Sequence, residues 1–202
     1  IQIHDPLVNQ HCEYKNAEVV IICTPTSNVK AYLEKLHDHD MVFVRSTIPW
    51  KWVKDTNFAV WPEFLTERTS KLDMLTQNRI ILGGEKSLTS HVRKIYELRF
   101  KNKNIIETDS KTSELIKYMN NTFFATKVSI MNEFKLICDK IGANWNNALN
   151  GFASDGRVGD SHLNVPGHDG QLGYGGKCFP KDVNALILFA KNLKIELNTI
   201  KG

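Results

Sequence analysis

"SELIKYMNNTFFATKVSIMNEFKLICDKIG", Ser113 to Gly142, contains no proline, and no glycine until its last residue. Within it Ile116, Met119, Phe123, Ile130, Phe134, Ile137 and Ile141 recur at spacings of three, four and seven, the period of one helix face. About 29 residues at a 1.5 Å rise predict a helix roughly 43 Å long. Gly142 stands where a C-cap glycine ends such a helix. A helix of this length links two domains or packs against its own copy in a dimer, so the chain divides around it.

Upstream, short apolar runs alternate with helical patterns. "IQIHDP" reads as a strand ending at Asp5, and "AEVVIICTPT" as a second with a β-branched core and a turn at Thr24-Pro25-Thr26. A helix is predicted from about Asn28 to His37, followed by the strands "MVFVRST", "FAVWPEF" and "NRIILGG". Leu88, Val92, Ile95, Tyr96 and Leu98 mark another helix, and "NIIET" another strand. Buried strands alternating with helices predict a mostly parallel sheet wrapped by helices, an α/β fold. Downstream, "NWNNALNGFAS" reads as a short helix and "DGRVGDSHLNVPGHDGQLGYGG" as a long glycine-rich loop, of a length that usually serves function. The expected division is 1–110 and 111–202, the second part mostly α.

The 202 residues suffice for one large domain or two small ones, and 42% hydrophobic residues are ordinary for a globular protein. No apolar run reaches the length of a membrane span. No signal peptide is visible in a chain that starts within a strand-like segment. Cys12, Cys23, Cys138 and Cys178 show no paired spacing, which points to a reduced, cytoplasmic compartment. The formal charge of +4 is spread along the chain, and its densest basic stretch, "RFKNKN", reads as a solvated helix end rather than a nucleic-acid surface. The seven histidines lack metal-ligand spacing, so no metal site is expected.

The chemistry concentrates in "GYGGKCFPKDVNAL", Gly173 to Leu186. Pro180 suits the first position of a helix, and Val183, Leu186, Ile187 and Ala190 follow at helical spacing. Cys178 then precedes unpaired N–H groups and the positive end of a helix dipole. With Lys181 nearby, both effects favour thiolate over thiol, and Cys178 reads as a nucleophile rather than an inert buried thiol. Lys117 and Asn121, four apart, share one face of the long helix. Alone they are an exposed lysine and an unimportant asparagine; beside a thiolate they are a cation and an amide donor, groups that stabilise an oxyanion. Glu63 and Glu67 follow a strand, where ligands of parallel sheets bind, although either also suits a helix start. Asp5, "CTPT" and "STIP" end other strands.

In order along the chain, "CTPT", "RSTIP", "WPEFLTE", "RIILGG", "SELIKYMNN", "DGRVGDSHLNVPG" and "GYGGKCFPKD" resemble the nucleotide-sugar 6-dehydrogenases, most closely the UDP-glucose branch. The resemblance implies an NAD-dependent oxidoreductase of nucleotide-sugar and polysaccharide metabolism. Such an enzyme oxidises a sugar CH₂OH to a carboxylate with two NAD⁺, through a thiohemiacetal and a thioester on the cysteine. On this likeness Cys178 is the nucleophile, and Lys117 and Asn121 stabilise the oxyanion. Asp182 positions water, and Glu63 is the acid/base residue for thioester hydrolysis. Phe64, Leu65, Gly173, Tyr174 and Gly175 contact the nucleotide sugar, as does Arg157, in some members across a dimer. Thr47 and Glu67 lie on the cofactor side, with Thr24, Pro25, Thr26, Ser46, Asp5 and Lys181. The implied fold is a partial Rossmann-like sheet without its first strand and its G-x-G-x-x-G turn, followed by a central helical dimerisation domain. The expected partners are UDP-glucose and a second copy of the chain. The alternatives are GDP-mannose or UDP-N-acetylmannosamine as substrate, and a non-catalytic dimerisation or sugar-nucleotide-binding module. The chain is expected to be either a fragment or a reduced relative.

Overall fold

The computed structural model describes residues 3–5, 11–49, 52, 58–101 and 103–201. It forms two compact units, Ile1–Lys117 and Tyr118–Gly202.

The first unit is built on a five-stranded sheet, β1 (Val20–Ile22), β2 (Val42–Val44), β3 (Phe58–Val60), β4 (Arg79–Gly83) and β5 (Asn104–Thr108), in the order β1-β2-β3-β4-β5. β1, β2 and β3 are parallel, as are β4 and β5, while β3 meets β4 antiparallel at the Val60–Gly83 pair. The mostly parallel α/β fold expected from the alternating pattern is the one observed. Helices α1 (Thr26–Lys35), α2 (Ser70–Thr76) and α3 (Lys86–Arg99) connect the strands. Because side chains alternate across a strand, Val42 and Val44 join Val29 and Leu36 in one core cluster while Phe43 joins Val92 and Tyr96 in another. With apolar cover on both faces, β2 and β3 are buried throughout, which is why each reads as a continuous apolar run.

Helix α4 runs from Ser110 to Ile141, 32 residues, starting three residues before the expected Ser113. Asp109 caps it: Thr112 N–H and hydroxyl donate to its carboxylate at 3.0 and 2.6 Å. The Thr112 hydroxyl, chiefly, holds that carboxyl below its ordinary range. At the other end Gly142 has φ 71°, its N–H bonds to the Asp139 carbonyl, and the Ala143 N–H bonds to the Cys138 carbonyl. This is the Schellman closure that a C-terminal glycine permits. The first turns of α4 belong to the sheet unit. A Cβ added at Gly83 would lie 2.3 Å from the Ser113 Cβ, so only glycine lets this turn approach β4.

The second unit holds the rest of α4 with α5 (Trp145–Ala153), α6 (Phe179–Asn192) and α7 (Asn198–Lys201). Its core cluster is Met131, Leu163 and Val165, with Trp145, Leu149, Ala153 and Val158 packed around it. The apolar row read from the sequence is largely uncovered: Met119, Phe123, Ile130, Phe134, Ile137 and Ile141 are all exposed. Among the described residues no helix is long and apolar enough to cross a membrane.

Candidate active site

The carboxyl ends of β1, β2 and β3 carry the candidate residues of the first unit. After β1 come Thr24 and Pro25, and Thr26 begins α1. After β2 come Ser46 and Thr47. The two loops are laced together: the Ser46 hydroxyl donates to the Thr24 carbonyl, and the Thr26 hydroxyl to the Thr47 carbonyl at 2.7 Å. Thr47 is buried. The Thr24 hydroxyl is also buried and finds no hydrogen-bond partner among the described residues, a costly arrangement unless a ligand supplies one. Asp5 forms an isolated β-bridge and is half-buried. Glu67 opens a short 3-10 turn, Glu67–Thr69, and is exposed.

Past β3, the Glu63 carboxylate accepts the Leu65 N–H at 2.7 Å, which folds the loop back on itself. The Lys117 ammonium donates to the Glu63 carbonyl and lies 3.5 Å from its carboxylate. Lys117 is 4% exposed, so the reading of an ordinary exposed lysine is wrong: a buried ammonium must be partnered. Its charge also sits over the half-buried Phe64 ring, 5.3 Å from the centroid, with the Arg79 guanidinium 4.9 Å from the same ring. Two cations thus hold one aromatic ring, tying the Glu63 carbonyl to α4 and the Phe64 ring to both α4 and β4.

In the second unit Cys178 is the N-cap of α6 and is exposed. The helix starts at Phe179, which puts Pro180 at the second position instead of the expected first. The Asp182 N–H bonds to the Cys178 carbonyl at 2.9 Å. The Asn121 side-chain amide donates to Asp182, both residues being buried. The Lys181 ammonium pairs with the other Asp182 oxygen at 3.0 Å. Lys181 was expected to act on the thiol; its ion-pair partner is the buried carboxylate beside it. An Asn amide carries two N–H donors, of which the bond to Asp182 uses one.

The long loop is anchored along its length. Arg157 is held on Asp155, its guanidinium hydrogen-bonded to both carboxylate oxygens, while its side chain stays 90% exposed. The Gly173 N–H donates to the Asn132 side chain at 2.9 Å. Tyr174 is half-buried and Gly175 exposed.

The structure therefore brings Glu63, Phe64 and Lys117 together in one unit, and Asn121, Asp182 and Lys181 in the other. Several residues escaped the sequence reading. Glu114 is fully buried and accepts the Ile48 N–H at 3.3 Å, tying the loop that carries Thr47 to α4. Arg79, Lys127 and Asn132 also escaped it. Spacing from Lys117 was the one signal for Glu114, and with the helix expected to start at Ser113 a carboxylate there had a simpler explanation in the dipole; the observed start at Ser110 puts Glu114 past the first turn.

Comparison with known proteins places these residues in context. Residues 111–202 match the model of the UDP-glucose/GDP-mannose dehydrogenase family, central domain. The UDP-glucose 6-dehydrogenase of Rickettsia bellii is 35% identical over 94% of this chain and 49% of its own length. Among solved structures, a UDP-glucose dehydrogenase from Pyrobaculum islandicum superposes with a TM-score of 0.81 at 24% identity, over 93% of this chain and 49% of that one. A UDP-D-ManNAc dehydrogenase from Pyrococcus horikoshii gives 0.76 at 26% identity with the same coverage. The chain spans about half the length of these relatives.

Proposed function

We propose that this chain, which belongs to the UDP-glucose/GDP-mannose dehydrogenase family, carries the oxidation of UDP-glucose to UDP-glucuronate through a covalent intermediate on Cys178. The observation that carries this reading is the exposed thiol at the start of α6, backed one turn later by the buried Asp182–Asn121 pair. A buried carboxylate held by an amide is an expensive arrangement for a helix that needed only to pack.

The C6 alcohol is first oxidised to the aldehyde; the Cys178 thiolate then adds to C6, the C=O electron pair moves onto oxygen, and that oxygen takes a proton to give a thiohemiacetal. Lys117 and Asn121 supply the cation and the amide donor suited to the oxygen that gains charge as this bond forms. Oxidation of the adduct gives a thioester. Water then adds at the thioester carbon, with Glu63 or Asp182 taking its proton. The C–S bond breaks, and the thiolate and the sugar carboxylate are released. Thr24, Pro25, Thr26, Ser46, Thr47 and Glu67, with Asp5 and Lys181, are the residues that would hold NAD. The buried Thr24 hydroxyl, without a partner among the described residues, fits a ligand there. NAD⁺, when bound, takes the electron pair in each of the two oxidations. Phe64, Leu65, Arg157, Gly173, Tyr174 and Gly175 form the sugar-nucleotide side. The uncovered apolar row of α4 supports a two-fold homodimer built on that helix.

Intact-mass spectrometry of the chain with UDP-glucose and NAD⁺ tests the reading. An adduct mapped to Cys178 is expected, accumulating further in Glu63→Gln and lost in Cys178→Ser. An adduct formed equally from GDP-mannose would move the substrate assignment, and an adduct on another cysteine would end it.

A further inference from the structure

Lys127 lies on α4 in the second unit, and its ammonium donates to three backbone carbonyls: Val158 at 3.2 Å, Gly159 at 3.0 Å and Ser161 at 2.6 Å. An ammonium has three donors, and here all of them serve one turn of the long loop. The next residue, His162, adopts φ 62°, a left-handed conformation that a non-glycine residue keeps only when its surroundings hold it. Its ring is stacked on Phe124 of α4, centroids 4.2 Å apart and planes 13° from parallel. The same imidazole lies 5.6 Å from the ring of Phe179, the residue after Cys178. The far end of the loop is fixed by Asn132, which accepts the Gly173 N–H. Three residues of one helix therefore hold both ends of the loop that leads into the cysteine. Burial also draws the Lys127 ammonium below its ordinary pKa, as partial removal from water does.

We infer that Lys127 is a positioning residue: by gathering the carbonyls of Val158, Gly159 and Ser161 it fixes the loop course that seats His162 on Phe124 and presents Arg157 to the nucleotide sugar. This rests on the reading that the loop covers that ligand. A methionine in its place fills the same space and leaves three carbonyls without their donor. An arginine keeps the charge and several donors.

The test uses the full chain as Lys127→Met and Lys127→Arg, with hydrogen exchange of the 158–162 amides and calorimetric titration with UDP-glucose. Lys127→Met should speed exchange of those amides by about tenfold or more while α4 amides keep their protection, because charged hydrogen bonds are the stronger ones. It should weaken UDP-glucose binding by about tenfold, and Lys127→Arg should restore most of both. Unchanged loop exchange in Lys127→Met overturns the inference. So does a loosened loop that binds UDP-glucose as tightly as before. If the methionine variant also loses protection through α4, Lys127→Gln replaces it under the same criteria. If the parent chain itself takes up no UDP-glucose, the substrate reading fails, and the exchange data still decide whether Lys127 holds the loop.

Discussion

The sheet buries apolar residues almost alone, whereas helix α4 buries a mixture of apolar and polar ones. In β2 the buried side chains are Val42, Phe43 and Val44; on α4 they include Ser113, Glu114, Lys117, Asn121 and Thr122, while Met119, Phe123 and Phe134 are each more than half exposed. Both segments have strong apolar periodicity, and in the sheet that pattern marks the core. On α4 the exposed row marks an outer face, and the buried side carries, beside Tyr118, Ala125, Met131 and Cys138, polar residues that grip loops. Burying a lysine and a glutamate costs stability unless each is hydrogen-bonded, and here each is. The difference separates a region that builds a core from one that also holds loops in place.

Truncating each kind of buried residue should give different losses. Phe43→Ala removes a fully buried ring shared between strand and helix and should cost about 3–5 kcal/mol, read from urea denaturation. Lys117→Met should cost less. It leaves the Glu63 carbonyl without its donor, but the Glu63 carboxylate is about one-third exposed and stays hydrated, so the loss should be about 1–2 kcal/mol. The rate of adduct formation from UDP-glucose should fall on the order of 10²–10³, as loss of one oxyanion donor does. A lysine variant that melts like the phenylalanine variant would erase the distinction between the two regions.

The sheet was legible because β-branched runs bounded by turns admit few other readings, and because its pattern and its burial agree. The length of α4 was legible from the absence of proline and glycine and from Gly142. Its orientation was not, because amphipathic spacing shows that a helix has two faces without saying which one meets the rest of the chain. Cys178 could be read from a local motif, since proline, glycines and thiol lie within a few positions. Lys127 could not: its carbonyl partners are 31, 32 and 34 positions away, and a mid-helix lysine is ordinarily solvated. The expectation for Asp5 meets a single bridge residue, with residues 6–10 outside the described part.

The exposed row on α4 sharpens the comparison. If it is an interface, Phe123→Asp with Ile137→Asp should lower the sedimentation-derived mass to that of a monomer at about 10 µM, since central apolar anchors each contribute roughly 2 kcal/mol or more to association. The isolated fold should lose little, because both side chains already stand in solvent. A parent chain that is monomeric at high micromolar concentration would remove the dimer from the proposal.

The smallest expected effect concerns pH, and His162 reports it. Burial, then the charges of Lys127 and His168, draw its imidazole below the ordinary histidine pKa. The unfolded chain, with histidine near 6.5, therefore binds a proton in a range where the folded chain does not. The contribution of this site is complete above about pH 6.5 and declines as pH falls toward the folded value. His162→Phe should keep an aromatic ring on Phe124 and remove the proton, so denaturation midpoints measured between about pH 5 and 7 should fall less steeply than in the parent. A matching slope in both chains would mean that the imidazole takes up its proton as readily in the fold as outside it. Strand β2 has no such device, because Val42, Phe43 and Val44 carry nothing that titrates. Mutating His162 should therefore leave the pH response of β2 amide protection unchanged.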